Sequence, residues 1–316
     1  MTEEQLTFDK EHLLGKYAPL DFVMAYGSGV FRQAGYEEQA KPMVDFIFGV
    51  DSTYLWHLRN LKKNTKDYSP LVRILGAEIA NWLQERGAKI YYNPYIPFEE
   101  QEIKYGVISL DSLLKDLRDW DTLYVAGRLH KPVKILKSTE HINQANSINL
   151  NHAFNTALLL LPETFTEEEL YTCISRISYT GDSRMKHGEN PQKAENIVTK
   201  NMKGFHDLYE YILLGKNNTI LSLLNDSHIQ QDKDPKTIES TYFELPSNLI
   251  KHAIYPINFH DEAELQENIR NSLTNIISAS STSQTIKGLF TAGVPKSIRY
   301  VKEKMNKHKQ STSSPS

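Results

Sequence analysis

"MAYGSGVFRQAG", residues 24–35, closes an apolar run with a glycine–serine–glycine turn, and "KPMVDFIFGVD", residues 41–51, sets an aspartate among apolar neighbours. A short apolar run ended by glycine reads as a buried strand, so two strands are predicted, over 20–26 and 42–50. An unpaired carboxylate buried in such a strand costs several kcal/mol, so Asp45 needs a charge to meet. Strand alternation puts Asp45, Ile47, Gly49 and Asp51 on one face. Asp45 and Asp51 are nevertheless about 20 Å apart at roughly 3.3 Å per residue, too far to share one metal.

Outward from this pair, "STYLWHLRNLKKN" (52–64) spaces Leu55, Leu58 and Leu61 as one helical face, with Asp51 or Ser52 as cap. "SPLVRILGAEIANWLQERG" (69–87) has a Ser69 cap, Pro70 at the first helical position and a Gly87 stop. Leu71, Ile74, Leu75, Ile79, Trp82 and Leu83 form its expected core stripe. "AKIYYNPYI" (88–96) and "EIKYGVIS" (102–109) are rich in β-branched and aromatic residues and read as two more strands. Residues 1–110 are therefore expected to form a mixed sheet with helices, an α/β (α+β) unit. A mainly helical part over 111–220 and a C-terminal helical region over 221–316 complete the division. Helices are predicted near 111–130, 147–161, 166–178, 205–215, 246–254 and 262–280, one supported by a Thr166–Glu169 capping box. Residues 181–198 read as a hairpin or wing, and 216–240 as a polar connection.

Composition bounds the function. A net charge of −3 and a pI near 6.4 leave no global nucleic-acid footprint. Cys173 is the sole cysteine, so no intrachain disulfide framework exists. "ALLLL" (157–161) is far shorter than the roughly 20 apolar residues of a membrane-spanning helix. The acidic N-terminal stretch, with Glu3, Glu4, Asp9 and Glu11, is unlike an arginine-rich transit peptide.

Gly27-Ser28-Gly29 has two readings. It is a tight turn, or it opens a helix whose backbone N–H groups and Ser28 hydroxyl cradle a phosphate. It is not a Walker A loop, because no Gly-Lys-Ser/Thr follows. Beside Asp45 the second reading gains weight, since a phosphate cradle and a strand carboxylate are the minimum for holding a magnesium–nucleotide.

Strand, Gly-Ser, then a hydrophobic-Asp-hydrophobic strand resembles the nucleotidyltransferase fold. In order, "YGSGVFRQ", "MVDFIFGVD", "WHLRNLKKN", "YGVISLDSLL", "LYVAGRLHKPVKI", "GDSRM" and "KGLFTAGVPKS" resemble the mitochondrial phosphatidate cytidylyltransferases of the translocator-maintenance type, over about residues 20–301. The resemblance implies a nucleotidyltransferase domain followed by a helical, winged-helix-like domain. It also implies Mg²⁺-dependent synthesis of CDP-diacylglycerol from CTP and phosphatidic acid for cardiolipin synthesis. The setting it implies is the matrix side of the mitochondrial inner membrane, with the protein held peripherally on an anionic surface and no nucleic acid as partner. Asp45 and Ser28 become the expected catalytic residues, with Asp45 on the metal and Tyr26, Gly27, Ser28 and Gly29 at the nucleotide. The chain departs from the pattern at Ile47, where nucleotidyltransferases usually carry a second carboxylate. The second metal ligand stays unassigned.

Other candidates carry plainer readings too. Arg128, His130 and Lys131 form a compact basic group before Pro132, either for phosphate contact or as a solvated helix end. Lys62 could meet substrate phosphate, or only complement a helix dipole. Arg184 and Lys193 flank the wing and could reach phosphate from the second domain. His57 reads as a packed, hydrogen-bonded histidine. From Lys287 to Lys309 seven Lys or Arg face one acid, Glu303, with apolar residues interleaved, as in a membrane-surface segment or a terminal helix packed on the core. Two other functions stand beside the transferase: a nucleotidyltransferase acting on nucleic acid, and a non-enzymatic membrane adaptor on a degenerate fold.

Overall fold

A computed structural model describes residues 9–31, 43–182, 192–224 and 228–292. After α1 (Lys10–Lys16), strands β1 (Phe22–Tyr26) and β2 (Val44–Val50) form where the apolar runs predict them. α2 (Thr53–Lys63) and α3 (Pro70–Gln84) lead to β3 (Tyr91–Phe98) and β4 (Gln101–Ser109). A fifth strand, β5 (Lys134–Lys137), comes from beyond residue 110, giving the order β3-β4-β2-β1-β5. β2 is antiparallel to β1 and parallel to β4.

The side chains of β2 fix that register. Val44, Phe46, Phe48 and Val50 pack on one face with Val23, Ala25, Trp56, Tyr105 and Val107. Ile47 turns to the other face, with Phe22, Met24, Tyr92 and Trp120. A one-residue slip would exchange the faces and present Asp45 to the aromatic layer.

The face bearing Ile47 is covered by helices: α4 (Leu110–Asp119), α5 (Ala126–Leu129), α6 (Glu140–Leu160), α7 (Glu167–Ile177) and α8 (Lys193–Lys216). The predicted helix over 111–130 is broken, because Trp120 adopts φ 57° and Asp116 organises the turn after it. Buried Asp116 accepts from the amides of Thr122, Leu123, Val125 and Ala126 and from the Thr122 hydroxyl, at 2.8–2.9 Å. α7 starts at the expected capping box, with Thr166 and Glu169 bonded reciprocally.

Residues 216–240 are not merely a polar connection. They contribute β7 (Leu221–Leu223), β8 (His228–Gln231) and the start of α9 (Pro235–Phe243), and β6 (Thr164–Thr166) completes a second sheet in the order β6-β8-β7. Such short strands leave little periodicity to read. Polar Gln231 is held inside by donating to the carbonyls of Leu158, Leu161 and Pro162. α10 (Ser247–Lys251) and α11 (Glu262–Ala292) complete the described chain. Within α11, Lys287 is buried and donates to the carbonyls of Gln84 and Arg86, so it is not part of an exposed basic face. The rest of the predicted basic segment, from 293 onward, lies outside the described residues, as do residues 183–191 of the predicted wing, whose last six residues, 193–198, instead open α8.

α2 and α3 cover the opposite face of the sheet with their amphipathicity inverted. Of the expected core stripe of α3, Leu71, Ile74, Leu75 and Trp82 are exposed, as are Leu55 and Leu58 of α2, whereas Leu83 is buried and Ile79 and Leu61 pack partly buried beside it. Thr53, Trp56, His57 and Asn60 of α2 point inward, with Val72, Ala77, Ala80, Leu83 and Gln84 of α3. Two features cause this. Gly76 (φ 82°, ψ −165°) interrupts α3 and resets the phase of its two halves. A buried polar network then claims the inner side: His57 bonds Tyr68 (2.9 Å) and Gln84 (2.8 Å), and Asn60, Asn93 and Asp67 converge on the Tyr105 hydroxyl. Burial lowers the His57 pKa to about 4, so it is a neutral, packed histidine at pH 7.

Asp116→Asn replaces an acceptor facing two amides with a donor. It is expected to cost about 2–4 kcal/mol in denaturant unfolding, against about 0.5 kcal/mol for exposed Asp111→Asn. Equal effects would show that the carboxylate does not organise the turn.

Candidate active site

Asp45 is the second residue of β2, and the pairing of the sheet surrounds it. Tyr26, the last residue of β1, is its antiparallel partner, and Lys104 of β4 its parallel one. Lys104 Nζ donates to Asp45 Oδ1 at 2.8 Å, both side chains being largely buried. Lys104 is the charge that Asp45 meets. It also lies 4.6 Å from the centre of the Tyr92 ring, whose hydroxyl is 3.3 Å from that of Tyr26. Burial raises the Tyr26 pKa against the opposing effect of Lys104, so the hydroxyl is neutral at physiological pH.

The glycine–serine turn sits against the other oxygen of the carboxylate. Gly27 has φ 80°, and a Cβ built there would lie 3.6 Å from Asp45 Oδ2. A Cβ at Gly29 would come within 2.8 Å of the Met43 carbonyl and 2.9 Å of Val44 Cα, so only glycine lets the turn approach the start of β2. Val30 and Phe31 both donate to the Gly27 carbonyl. The described segment is thus a turn, and the helix expected after it falls on residues outside the described ones.

A second group of cations comes from the helical layer. The Arg128 guanidinium lies 4.0 Å from the centre of the Tyr124 ring and 5.2 Å from that of Tyr26, which ties it to the Asp45 neighbourhood. One turn on, Lys131 donates to the Gly127 carbonyl and the Ser178 hydroxyl, each at 2.8 Å. Lys131 and Lys193 both lie over the Tyr179 ring, at 4.8 and 5.2 Å. Burial, with Arg128 and Lys193 nearby, lowers the Lys131 pKa to about 7. Three like charges gathered here form a place for an anion.

Not every predicted residue reaches this place. His130 leaves the basic group, because it is fully buried against Asn149 and burial lowers its pKa to about 3. Lys62 is exposed on the last turn of α2, on the sheet face opposite Asp45. Arg184 lies outside the described residues. Lys104 is missing from the sequence reading. Its signal was a lone lysine in the otherwise apolar run "IKYGVI", which becomes informative only once β4 is placed beside β2.

The donor set limits how a metal would be held. No cluster of three or more His, Cys, Asp or Glu suited to a metal occurs among the described residues. Magnesium needs only one or two carboxylates when substrate phosphates and water complete its shell. A single carboxylate with one oxygen facing the glycine turn fits an ion brought in with a nucleotide.

The sequence matches the family described as "Phosphatidate cytidylyltransferase, mitochondrial" over residues 11–307. Proteins of that name from Rattus norvegicus and Schizosaccharomyces pombe are 40% and 38% identical, over 91% and 92% of this chain and 90% and 80% of their own lengths. One from Dictyostelium discoideum is 35% identical over 94% of this chain and 84% of its own. Matched along nearly its whole length, the chain belongs to the mitochondrial phosphatidate cytidylyltransferase family.

Proposed function

We propose that the protein transfers the cytidylyl group of CTP to phosphatidate, giving CDP-diacylglycerol and pyrophosphate. The observation that carries this reading is the junction of Asp45, the Gly27–Gly29 turn and the Arg128–Lys131–Lys193 cations at one end of the sheet. An adaptor that had lost its chemistry would have no need to gather a strand carboxylate, a glycine cradle and three cations. The relatives carry a mitochondrial name, which supports a mitochondrial setting for the reaction. We extend the proposal to the matrix side of the inner membrane, with CDP-diacylglycerol feeding cardiolipin synthesis and no nucleic acid as partner. Among the described residues no helix is long and apolar enough to cross a membrane, and we extend the proposal to peripheral attachment on an anionic surface.

In this reading a phosphate oxygen of phosphatidate attacks the α-phosphorus of CTP, and the bond to the β-phosphate breaks as pyrophosphate leaves. The attacking group has a second pKa of about 6, so it is already largely ionised and needs no protein base. A lone carboxylate, with Ile47 in place of a second, is then sufficient. The Gly27–Gly29 backbone and Ser28 receive phosphate oxygens, with Tyr26 alongside. Arg128, Lys131 and Lys193 neutralise the repulsion between two anionic substrates. Lys104 holds Asp45 in place. Magnesium held by Asp45 would supply further neutralisation of phosphate charge.

Three outcomes are expected. Asp45→Asn lowers turnover at least about 100-fold, followed as label from α-labelled CTP entering lipid, while the variant still melts cooperatively at a temperature lowered by the orphaned Lys104. Near-normal activity would remove Asp45 from the chemistry. Ser28→Ala weakens CTP binding about 2- to 10-fold in calorimetry, and an unchanged affinity would make the turn scaffold only. The third concerns Lys131. It is partly neutral near pH 7 when free, and an incoming triphosphate raises its pKa, so binding takes up a proton and affinity falls as pH rises above about 7. Calorimetry in buffers of different ionisation enthalpy reads this uptake, which Lys131→Met should remove. Equal uptake by the variant would assign the proton elsewhere.

A further inference from the structure

The carboxylate that the chemistry above asks to meet a divalent cation is occupied before any ion arrives. Lys104 Nζ donates to Asp45 Oδ1 at 2.8 Å, with the side chains only 16% and 24% exposed. The ammonium is also held by an aromatic face, lying 4.6 Å from the centre of the Tyr92 ring. Tyr92 is fixed in turn. Its register partner on β4 is Gly106, where a Cβ would come within 2.5 Å of Tyr92 Cε1, so glycine there lets the ring lie against the strand and reach Lys104. The Tyr92 hydroxyl is 3.3 Å from that of Tyr26, which closes the ring of contacts around the ion pair.

A bare divalent cation would find little at this place. Asp45 offers Oδ2, which faces the Gly27 turn, but the charge of its carboxylate is already balanced by Lys104. Two residues on, Ile47 presents an apolar side chain on the same face of β2. Arg128 adds a second positive charge beside the Tyr26 ring. Magnesium sheds its water reluctantly and needs several oxygens in return, so one shared carboxylate beside two cations offsets little of its dehydration. A triphosphate reverses the balance, because it brings oxygens for the ion and negative charge for Lys104 and Arg128 to meet.

We propose that Lys104 bars Asp45 to a free divalent cation, so that the metal enters the site only as a complex with the nucleotide. Lys104 is then a positioning residue that also sets the order of binding. The proposal rests on the reading of Asp45 as the carboxylate that meets a nucleotide-borne cation.

The full-length chain is tested with Mn²⁺ as the probe ion, read by water-proton relaxation, which is enhanced when the ion is held on a slowly tumbling protein. With Mn²⁺ alone the parent is expected to leave relaxation at the level of the free ion. Addition of the non-hydrolysable α,β-methylene analogue of CTP should produce the enhancement. K104M should bind Mn²⁺ without nucleotide at least about tenfold more tightly than the parent, since it leaves Asp45 unpaired. K104R keeps the charge and should behave as the parent, and K104M/D45N should lose the gain. K104Q, which keeps a hydrogen bond to Asp45 without the charge, gives the same reading if K104M does not melt cooperatively. Binding of Mn²⁺ by the parent as tightly without the analogue as with it would overturn the proposal. So would an uncharged variant no tighter than the parent. A gain that persists in K104M/D45N would also overturn it, by placing the ion on another carboxylate such as Glu102, on the same face of β4 as Lys104. If the analogue produces no enhancement in the parent, the functional reading falls, and the nucleotide-free titrations of parent and variants still decide the role of Lys104.

Discussion

The placement of β2 between an antiparallel and a parallel neighbour is the constraint on which the rest of the molecule depends. β2 is hydrogen-bonded on both sides, and its aromatic face admits one register, so the residues opposite Asp45 are fixed as Tyr26 and Lys104. An ion pair at 2.8 Å between largely buried side chains adds little net stability, because desolvation offsets most of the attraction. Its value is positional. It orients one carboxylate oxygen while the other faces the glycine turn, and it does so without reorganisation when a substrate arrives.

The two faces of the sheet divide the work. One bears Asp45, the proposed centre of the chemistry, and is roofed by helices whose turns deliver Arg128 and Lys131. The other carries a polar network centred on His57, Tyr68 and Tyr105, in which each hydrogen bond is strengthened by its dry surroundings and each partner would be costly to orphan. That network holds α2 and α3 by directional bonds, and so frees their apolar side chains to face outward.

Legibility followed the range of the interactions. Strands β1 to β4 could be read because their signal lies within a few residues, and Asp45 stood out as a charge in an apolar run. Lys104 could not, since its role depends on a parallel pairing of segments 59 residues apart. The meeting of Arg128 and Lys131 with Lys193 depends on helix packing in the same way. The apolar spacing of α3 predicts a core stripe of which Leu83 is buried while Leu71, Ile74, Leu75 and Trp82 face out. Periodicity reports that a helix has two unlike faces and does not report which one meets the sheet. The glycine at position 76 signalled a possible break, but its φ of 82° is a tertiary outcome.

Both margins of the five-stranded sheet are blunted. β3 carries Pro94 and Pro97, which lack the N–H a further strand would need, and its register shifts between Asn93 and Ile96. β5 on the far side is four residues long and begins and ends with lysine. Exposed strand margins recruit one another between molecules unless interrupted in such ways. Under the peripheral attachment proposed above, confinement to a surface would multiply encounters between copies, because molecules that share a plane meet far more often than molecules spread through a volume. A sheet that offers no continuous row of free donors can be crowded in two dimensions without polymerising.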